Sequence, residues 1–240
     1  MITATLIDHM GSDLSVVNAA RVSFGKNHTE MTDGDTRLIK YLAKHKHMSP
    51  FGHCFASFHV KAPVFVARQL VKHKFLRWNE ISRRYVDDDP ELYQPDVWRG
   101  RSEDKKQGSD GVVTTLEWSE PDDYYDEYYS NDKKYLQPWA SYQDTPQNIT
   151  MGLHTQAKEV YNILIQGGVC PEQARMVLPQ STMTEWYWSG SLDAFIDMCH
   201  LRLKADTQYE TQIVATKIAE YLGNMYPISW RALMEGDDNG

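Results

Sequence analysis

Cysteine is scarce in these 240 residues: there are three, Cys54, Cys170 and Cys199. An odd, widely spaced set builds neither a disulfide framework nor a CxxC metal knuckle, so reduced and mostly buried thiols are expected. Long apolar runs are missing as well. No stretch approaches the roughly 18 consecutive apolar residues of a membrane span, and Met1-Ile2-Thr3-Ala4-Thr5 lacks the basic start and apolar centre of a signal peptide. A cytoplasmic protein is expected. Positive charge is in deficit, with 25 Lys and Arg against 33 Asp and Glu, a net charge of -8. Neutralising a duplex needs a broad basic face, so a basic island in this chain must bind something small. There is no internal repeat. What the chain does have is a hydrophobic content of 41%, enough at this length for a sizeable packed core.

Pattern and punctuation give the order of elements. Ile2 to Ile7 reads as a short strand, and Asp13 is placed to cap a helix through Val16, Val17 and Ala20. A second helix is expected from about Asp35, with Leu38, Ile39 and Leu42 on one face, until Ser49-Pro50-Phe51-Gly52 breaks the pattern. Cys54 to Lys61 alternates like a strand. Pro63 suits the first turn of a helix whose stripe is Val64, Val66, Ala67, Leu70 and Val71, and that helix delivers Lys72-His73-Lys74 at its end. From Asp87 to about Gln147 the chain turns acidic, aromatic and turn-rich, an irregular excursion whose core is 112–146. Helices are expected again over Leu153 to Gln166, ended by Gly167-Gly168, then briefly near Pro171, and over Gln208 to Tyr221. This order predicts one α+β domain over 1–240, a small, mostly antiparallel sheet flanked by helices.

The densest polar constellation is Gln69, Lys72, His73, Lys74, Arg77, Asn79, Glu80, Ser82, Arg83, Arg84 and Tyr85. Clustered cations with one histidine suit phosphate and pyrophosphate groups, Arg by planar bidentate contacts and Lys as a point charge. Glu80 among them is placed to orient a ring N–H or a cation. A solvated basic loop has the same composition.

Lys72-His73-Lys74 followed by Asn79-Glu80-Ile81-Ser82-Arg83-Arg84-Tyr85 resembles the signature of the flavin-dependent thymidylate synthases, an RHR triplet followed by NExSxRY. His47-Met48-Ser49-Pro50-Phe51 and Phe58 to Pro63 are similar to that family's preceding segment, and Ala20-Arg21-Val22-Ser23-Phe24 to its early flavin-contact motif. Ala174 to Pro179, and Leu201-Arg202 with Gln208-Tyr209-Glu210-Thr211, match its two later motifs in order. The resemblance implies conversion of dUMP to dTMP, with FAD bound, methylenetetrahydrofolate giving the carbon and NADPH the electrons. It implies hydride transfer from reduced flavin to carbon 6 of the uracil, with no enzyme nucleophile, and a homotetramer whose sites are shared between subunits. By the same resemblance Ser23, Ser49, Lys72, His73, Lys74 and Glu80 touch FAD. Gln69, Ser82, Arg83, Arg84, Arg175 and Arg202 surround the nucleotide, Glu80 lies close to it, and His47 lies near the flavin for folate or NADPH use. Arg84 and Arg175 suit a 5′-phosphate, and Arg202 the carbonyl edge of the pyrimidine, where negative charge develops.

The chain departs from the family where arginines of the triplet become Lys72 and Lys74, which keep the charge but lose the fork. Ser191, Asp193, Asp197 and Asp206 also stand where asparagine, arginine and histidine are usual. Five other readings remain. A metal enzyme would draw on His45, His47, His53 and His59, whose spacings fit no usual ligand pattern. A nucleic-acid module would stack bases on Phe75, Trp78 and Tyr85. A non-catalytic nucleotide sensor could use the same fold. Within the enzyme class stand a dUMP hydroxymethylase and a dCMP methylase.

Overall fold

The computed structural model describes residues 1–103, 108–117 and 143–234. The backbone forms two compact units, one made of Met1–Ile81 with Met183–Gly240, the other of Ser82–Thr182. The first begins with β1 (Thr3–Met10), α1 (Asp13–Arg21), a 3-10 turn (Val22–Phe24), α2 (Asp33–Lys44) and a second 3-10 turn (Ser49–His53). It continues with β2 (Phe55–Pro63), α3 (Val64–Leu70) and β3 (Arg77–Glu80). The second unit holds β4 (Arg99–Arg101), β5 (Ser109–Val112), β6 (Leu116–Glu117), β7 (Gln143–Asp144), α4 (Pro146–Gln166), α5 (Pro171–Ala174) and a 3-10 turn (Arg175–Val177). The chain then re-enters the first unit through β8 (Met183–Ser191), α6 (Leu192–Arg202), α7 (Tyr209–Met225) and α8 (Pro227–Met234).

The class is α+β, and the first unit carries the expected antiparallel sheet, in the order β1-β2-β8-β3. Side-chain alternation gives this sheet two unlike faces. Ala56, Phe58, Val60 and Ala62 of β2 stand opposite Gly190, Trp188, Trp186 and Thr184 of β8 and are buried. The intervening Ser57, His59, Lys61, Glu185, Tyr187 and Ser189 turn the other way and are half-buried or exposed. Phe195 of α6 packs edge-on against Phe58 (5.2 Å) and Trp188 (5.6 Å). Burying each of these large rings stabilises the fold by roughly 2–3 kcal/mol.

Several boundaries differ from the sequence reading, each for a local reason. Ser12, not Asp13, caps α1. The buried Asp13 carboxylate caps α8 instead, accepting from the backbone N–H groups of Ile228 (2.9 Å) and Ser229 (2.8 Å) and from the Ser229 hydroxyl (2.6 Å). Thr32 caps α2, which starts at Asp33, two residues before Asp35, and its Oγ1 accepts from the Asp35 N–H. Thr145 caps α4 ahead of Pro146, seven residues before Leu153, by accepting from Asn148 N–H at 3.1 Å. Gly167 and Gly168 end α4 as expected, Gly168 at φ +84°. In the second unit two short antiparallel ladders, β4 with β5 and β6 with β7, lie within the stretch expected to be irregular. Tyr124, Tyr125, Tyr128, Tyr129 and Tyr135 lie outside the described residues.

Candidate active site

The helix expected from Pro63 starts at Val64 and stops at Leu70, two residues short of Lys72, so the cationic triplet sits on a turn rather than on a helix end. That turn is drawn tight against the sheet at Gly190. A Cβ on Gly190 would collide with Leu76 Cδ2 and stand 3.2 Å from the Phe75 carbonyl oxygen. Phe75 itself takes a left-handed φ of 64°, which costs a non-glycine residue about 1 kcal/mol. Lys72 and Lys74 point into solvent, with no hydrogen bond or ion pair among the described residues, while His73 is half-buried between them.

His73 faces the C-terminal end of α6. Arg202 donates from Nε to His73 Nε2 at 2.9 Å and from Nη2 to the Gln69 carbonyl at 3.3 Å. Because a guanidinium can only donate, Nε2 must be the acceptor, which leaves the ring proton of a neutral imidazole on Nδ1. Burial first, and then the Arg202 charge, push His73 down to about 4, so the neutral form prevails at ordinary pH. The Gln69 side chain is fixed from the start of α7: its Oε1 accepts from the Thr211 hydroxyl at 3.3 Å and its Nε2 donates to Gln208 Oε1. The outcome is a guanidinium aimed by two protein acceptors, with Nη1 making no hydrogen bond among the described residues.

Glu80 ends β3. Its Oε1 accepts from the Thr184 hydroxyl at 2.7 Å and its Oε2 from the Trp78 indole at 3.0 Å. Trp78 stacks on Trp186, centroids 4.3 Å apart and 19° between planes, so the carboxylate stands at the edge of a rigid aromatic stack.

Ser23 lies exposed in the Val22–Phe24 turn, its hydroxyl donating to the Ala20 carbonyl at 3.1 Å. The turn follows a buried clasp. Asp35, fully enclosed, accepts from Arg21 Nε (3.0 Å) and Nη2 (2.7 Å), from Thr32 N–H (3.1 Å) and hydroxyl (2.7 Å), and meets His28 Nδ1 at 2.8 Å. Burial alone would raise its carboxyl, but the hydrogen bonds from Thr32, His28 and Arg21 outweigh it and hold Asp35 well below the carboxylate range. Ser49 opens the second 3-10 turn, which packs on α6 and β8. His47 is exposed beside Tyr41, ring centroids 6.1 Å apart. Among the described residues no hydrogen bond joins Ser23, Ser49 or His47 to the Arg202 cluster.

The remaining candidates belong to the second unit. Arg84 donates from Nε to the Ser82 hydroxyl at 3.0 Å and lies over the Tyr85 ring at 5.0 Å. Arg83 is turned back on its own loop, Nη1 donating to the Asp88 carbonyl at 2.9 Å and carboxylate at 3.3 Å. Arg175 is exposed and donates from Nε to the Glu172 carbonyl at 3.3 Å. Thr184 and Gly190, which shape these candidates, were given no role in the sequence, and Gln208 and Thr211 were quoted there only as part of a motif. Gln208 and Thr211, three apart, share a face at the start of α7. Thr184 lies diagonally from Glu80, whose direct β8 partner is Trp186. Among the described residues no group of three or more His, Cys, Asp or Glu side chains could hold a metal ion. No described helix is long and apolar enough to cross a membrane.

The family model described as thymidylate synthase complementing protein matches residues 5–228. A flavin-dependent thymidylate synthase from Thermus thermophilus is 36% identical over 230 residues, 96% of this chain and 74% of that protein. One from Kosmotoga olearia is 34% identical, covering 95% and 88%. Among solved structures, a UMP/dUMP methylase from Streptomyces cacaoi bound with 5-Br dUMP superposes with a TM-score of 0.76 at 28% identity, covering 98% of this chain and 95% of that one. This chain belongs to the thymidylate synthase complementing protein family of enzymes.

Proposed function

We propose that the chain methylates carbon 5 of dUMP to give dTMP, holding FAD and using methylenetetrahydrofolate as carbon donor and NADPH as reductant. The observation that carries this reading is the Arg202 guanidinium, aimed by neutral His73 and the Gln69 carbonyl with Nη1 left for a ligand. A donor fixed before the ligand arrives suits the carbonyl edge of a uracil and costs no reorganisation when negative charge builds there. His73 Nδ1–H supplies a second donor, an uncharged one. The amide of Gln69, held by Gln208 and Thr211, lines the nucleotide side of the same cluster.

FAD fits the donors present. Lys72 and Lys74 are cations with no described protein partner, as a pyrophosphate requires, and Ser23, Ser49, His73 and Glu80 offer neutral donors and one carboxylate for its polar edges. When bound, that group supplies the hydride chemistry. The residues of the chain bind, orient and exclude water around it, and none acts as a covalent nucleophile. Ser82, Arg83, Arg84 and Arg175 are assigned to the nucleotide side, Arg84 and Arg175 to its 5′-phosphate. His47 is assigned to the folate or NADPH side. The chain is proposed to act as a homotetramer in the cytoplasm, with sites shared between subunits. In support, Phe24, Phe75, Tyr85 and Met176, each beside a candidate motif, are all more than three-quarters exposed.

Single-turnover product analysis by mass spectrometry tests the proposal. The FAD-loaded protein is given methylenetetrahydrofolate and NADPH with dUMP, UMP or dCMP. UMP belongs in the set because the similar solved methylase is named for both UMP and dUMP. dTMP is the expected product. A hydroxymethylated product, or reaction with dCMP alone, would overturn the substrate and product while leaving a flavin enzyme. Failure to retain flavin would overturn the whole reading.

A further inference from the structure

Arg83 and Arg84 are adjacent and carry the same charge, but the loop treats them differently. The Arg83 side chain is only 18% exposed, and its Nη1 reaches both the carbonyl and the carboxylate of Asp88, closing a six-residue loop upon itself. The next residue, Asp89, is tied to α4 by an ion pair with Lys158 at 2.8 Å, and the Lys158 hydrogen bond holds its carboxyl below the usual range. The loop is therefore shut at Asp88 and moored at Asp89. Arg84 is exposed; its guanidinium lies over the Tyr85 ring, and among the described residues its side chain makes one hydrogen bond, from Nε to the Ser82 hydroxyl within the same loop. Its two terminal nitrogens remain for a ligand, in the fork geometry that a phosphate matches.

We infer that Arg83 is not a nucleotide ligand but a positioning residue: with Asp88 it forms a clasp that holds Ser82 and Arg84 in the arrangement that receives the anionic group of the ligand. A six-residue loop without the clasp would sample many conformations, and an anion would have to order it on binding. The inference rests on the proposed nucleotide function for its ligand, and it departs from that reading in the role of Arg83. The clasp itself stands on geometry alone.

The two roles predict opposite signs for Asp88→Ala. If Arg83 were a ligand competed for by Asp88, removing the carboxylate would free it, and dUMP would bind more tightly. As a clasp, the loop loses its closure, and dUMP should bind about three- to tenfold more weakly in both Asp88→Ala and Arg83→Ala, without additivity in the double variant. Asp88 is 66% exposed, so its replacement leaves the fold intact. Calorimetric titration of the FAD-loaded full chain with dUMP reads the first arm, and hydrogen exchange at the amides of 82–88 reads the second. Faster exchange together with weaker binding is the expected result. Tighter binding in Asp88→Ala, or additive losses, would make Arg83 a ligand. Unchanged exchange would overturn the clasp whatever the affinity. A wild-type chain that binds no dUMP would overturn the proposed nucleotide function, and the exchange arm would still decide the clasp.

Discussion

Arg202 in the first compact unit and Arg84 in the second present similar chemistry from opposite circumstances. Arg202 is partly buried, two of its nitrogens are committed to His73 and to the Gln69 carbonyl, and the Gln69 side chain is in turn held from α7. Arg84 is exposed, and its one described side-chain hydrogen bond goes to Ser82 in its own loop. The first arrangement suits a group that must be in place when charge develops during a reaction. The second suits one that grips an anion and releases it. On the proposed function, aiming a donor for the reaction would fall to Arg202 and capture of the anion to Arg84.

The largest effect should fall on Arg202. Arg202→Ala is expected to cut single-turnover formation of dTMP roughly a thousandfold, because a pre-aimed donor to a developing oxyanion is lost. Flavin retention, read by absorbance, should change far less. Lysine at this position should fail almost as badly, since one ammonium cannot serve His73 and Gln69 and still face a ligand. An Arg84→Ala variant that slowed chemistry as much, at saturating dUMP, would erase the contrast between the two arginines.

Much of this contrast was legible before any coordinates. The basic island, Arg202 and the α+β class follow from motif and pattern, and β1, β2, α2 and α7 lie close to where alternation and periodicity put them. What was missed depends on distant contacts or on the absence of pattern. α6 buries Leu192, Ala194, Phe195, Ile196, Met198 and Cys199, nearly all around its axis, so no single apolar stripe announces it. Asp13 resembles a cap for the helix beside it, but its acceptors serve α8, more than 200 residues away. The different fates of Arg83 and Arg84 depend on Asp88, which in the sequence is one carboxylate in an acidic run.

Next in size is the Asp35 clasp, which extends the comparison to the Ser23 turn. Asp35→Asn leaves Arg21 without its counter-charge and should destabilise the protein by about 3 kcal/mol in chemical denaturation. The pH dependence has a definite sign. A carboxyl held below its usual value of 3.8 contributes stability that is complete above that value and is lost as pH falls below it. Acid unfolding of the wild type should therefore steepen below pH 3.8, and the Asn variant should lack that component. A variant of unchanged stability would mean that the Ser23 turn is held by other contacts.

His73 gives a smaller effect in a higher window. Its folded value, about 4, lies below the usual 6.5, so the fold disfavours the proton. Its contribution to stability is complete above pH 6.5 and falls as pH drops towards 4. The His73 ring should therefore stay neutral throughout pH 8 to 6. An NMR titration of the imidazole with a midpoint near 6.5 would show instead that the ring is free, and Arg202 would lose the support assigned to it.

The smallest expected effect is a gain. Lys72 and Lys74 stand in solvent with no described protein partner, so Lys72→Arg or Lys74→Arg breaks no internal contact and adds a second donor towards an anion. FAD should bind about two- to fourfold more tightly, a modest change because an exposed contact is screened by water. Charge is conserved in this exchange, so the gain should survive an increase in salt. The loss caused by Lys72→Gln should shrink under the same conditions, because it is mainly Coulombic. If arginine weakened FAD binding at every ionic strength, the Val71–Leu76 turn would have to be shaped around an ammonium. The open region would then be as specified as the buried one, and the division of labour between aimed and open cations would not hold.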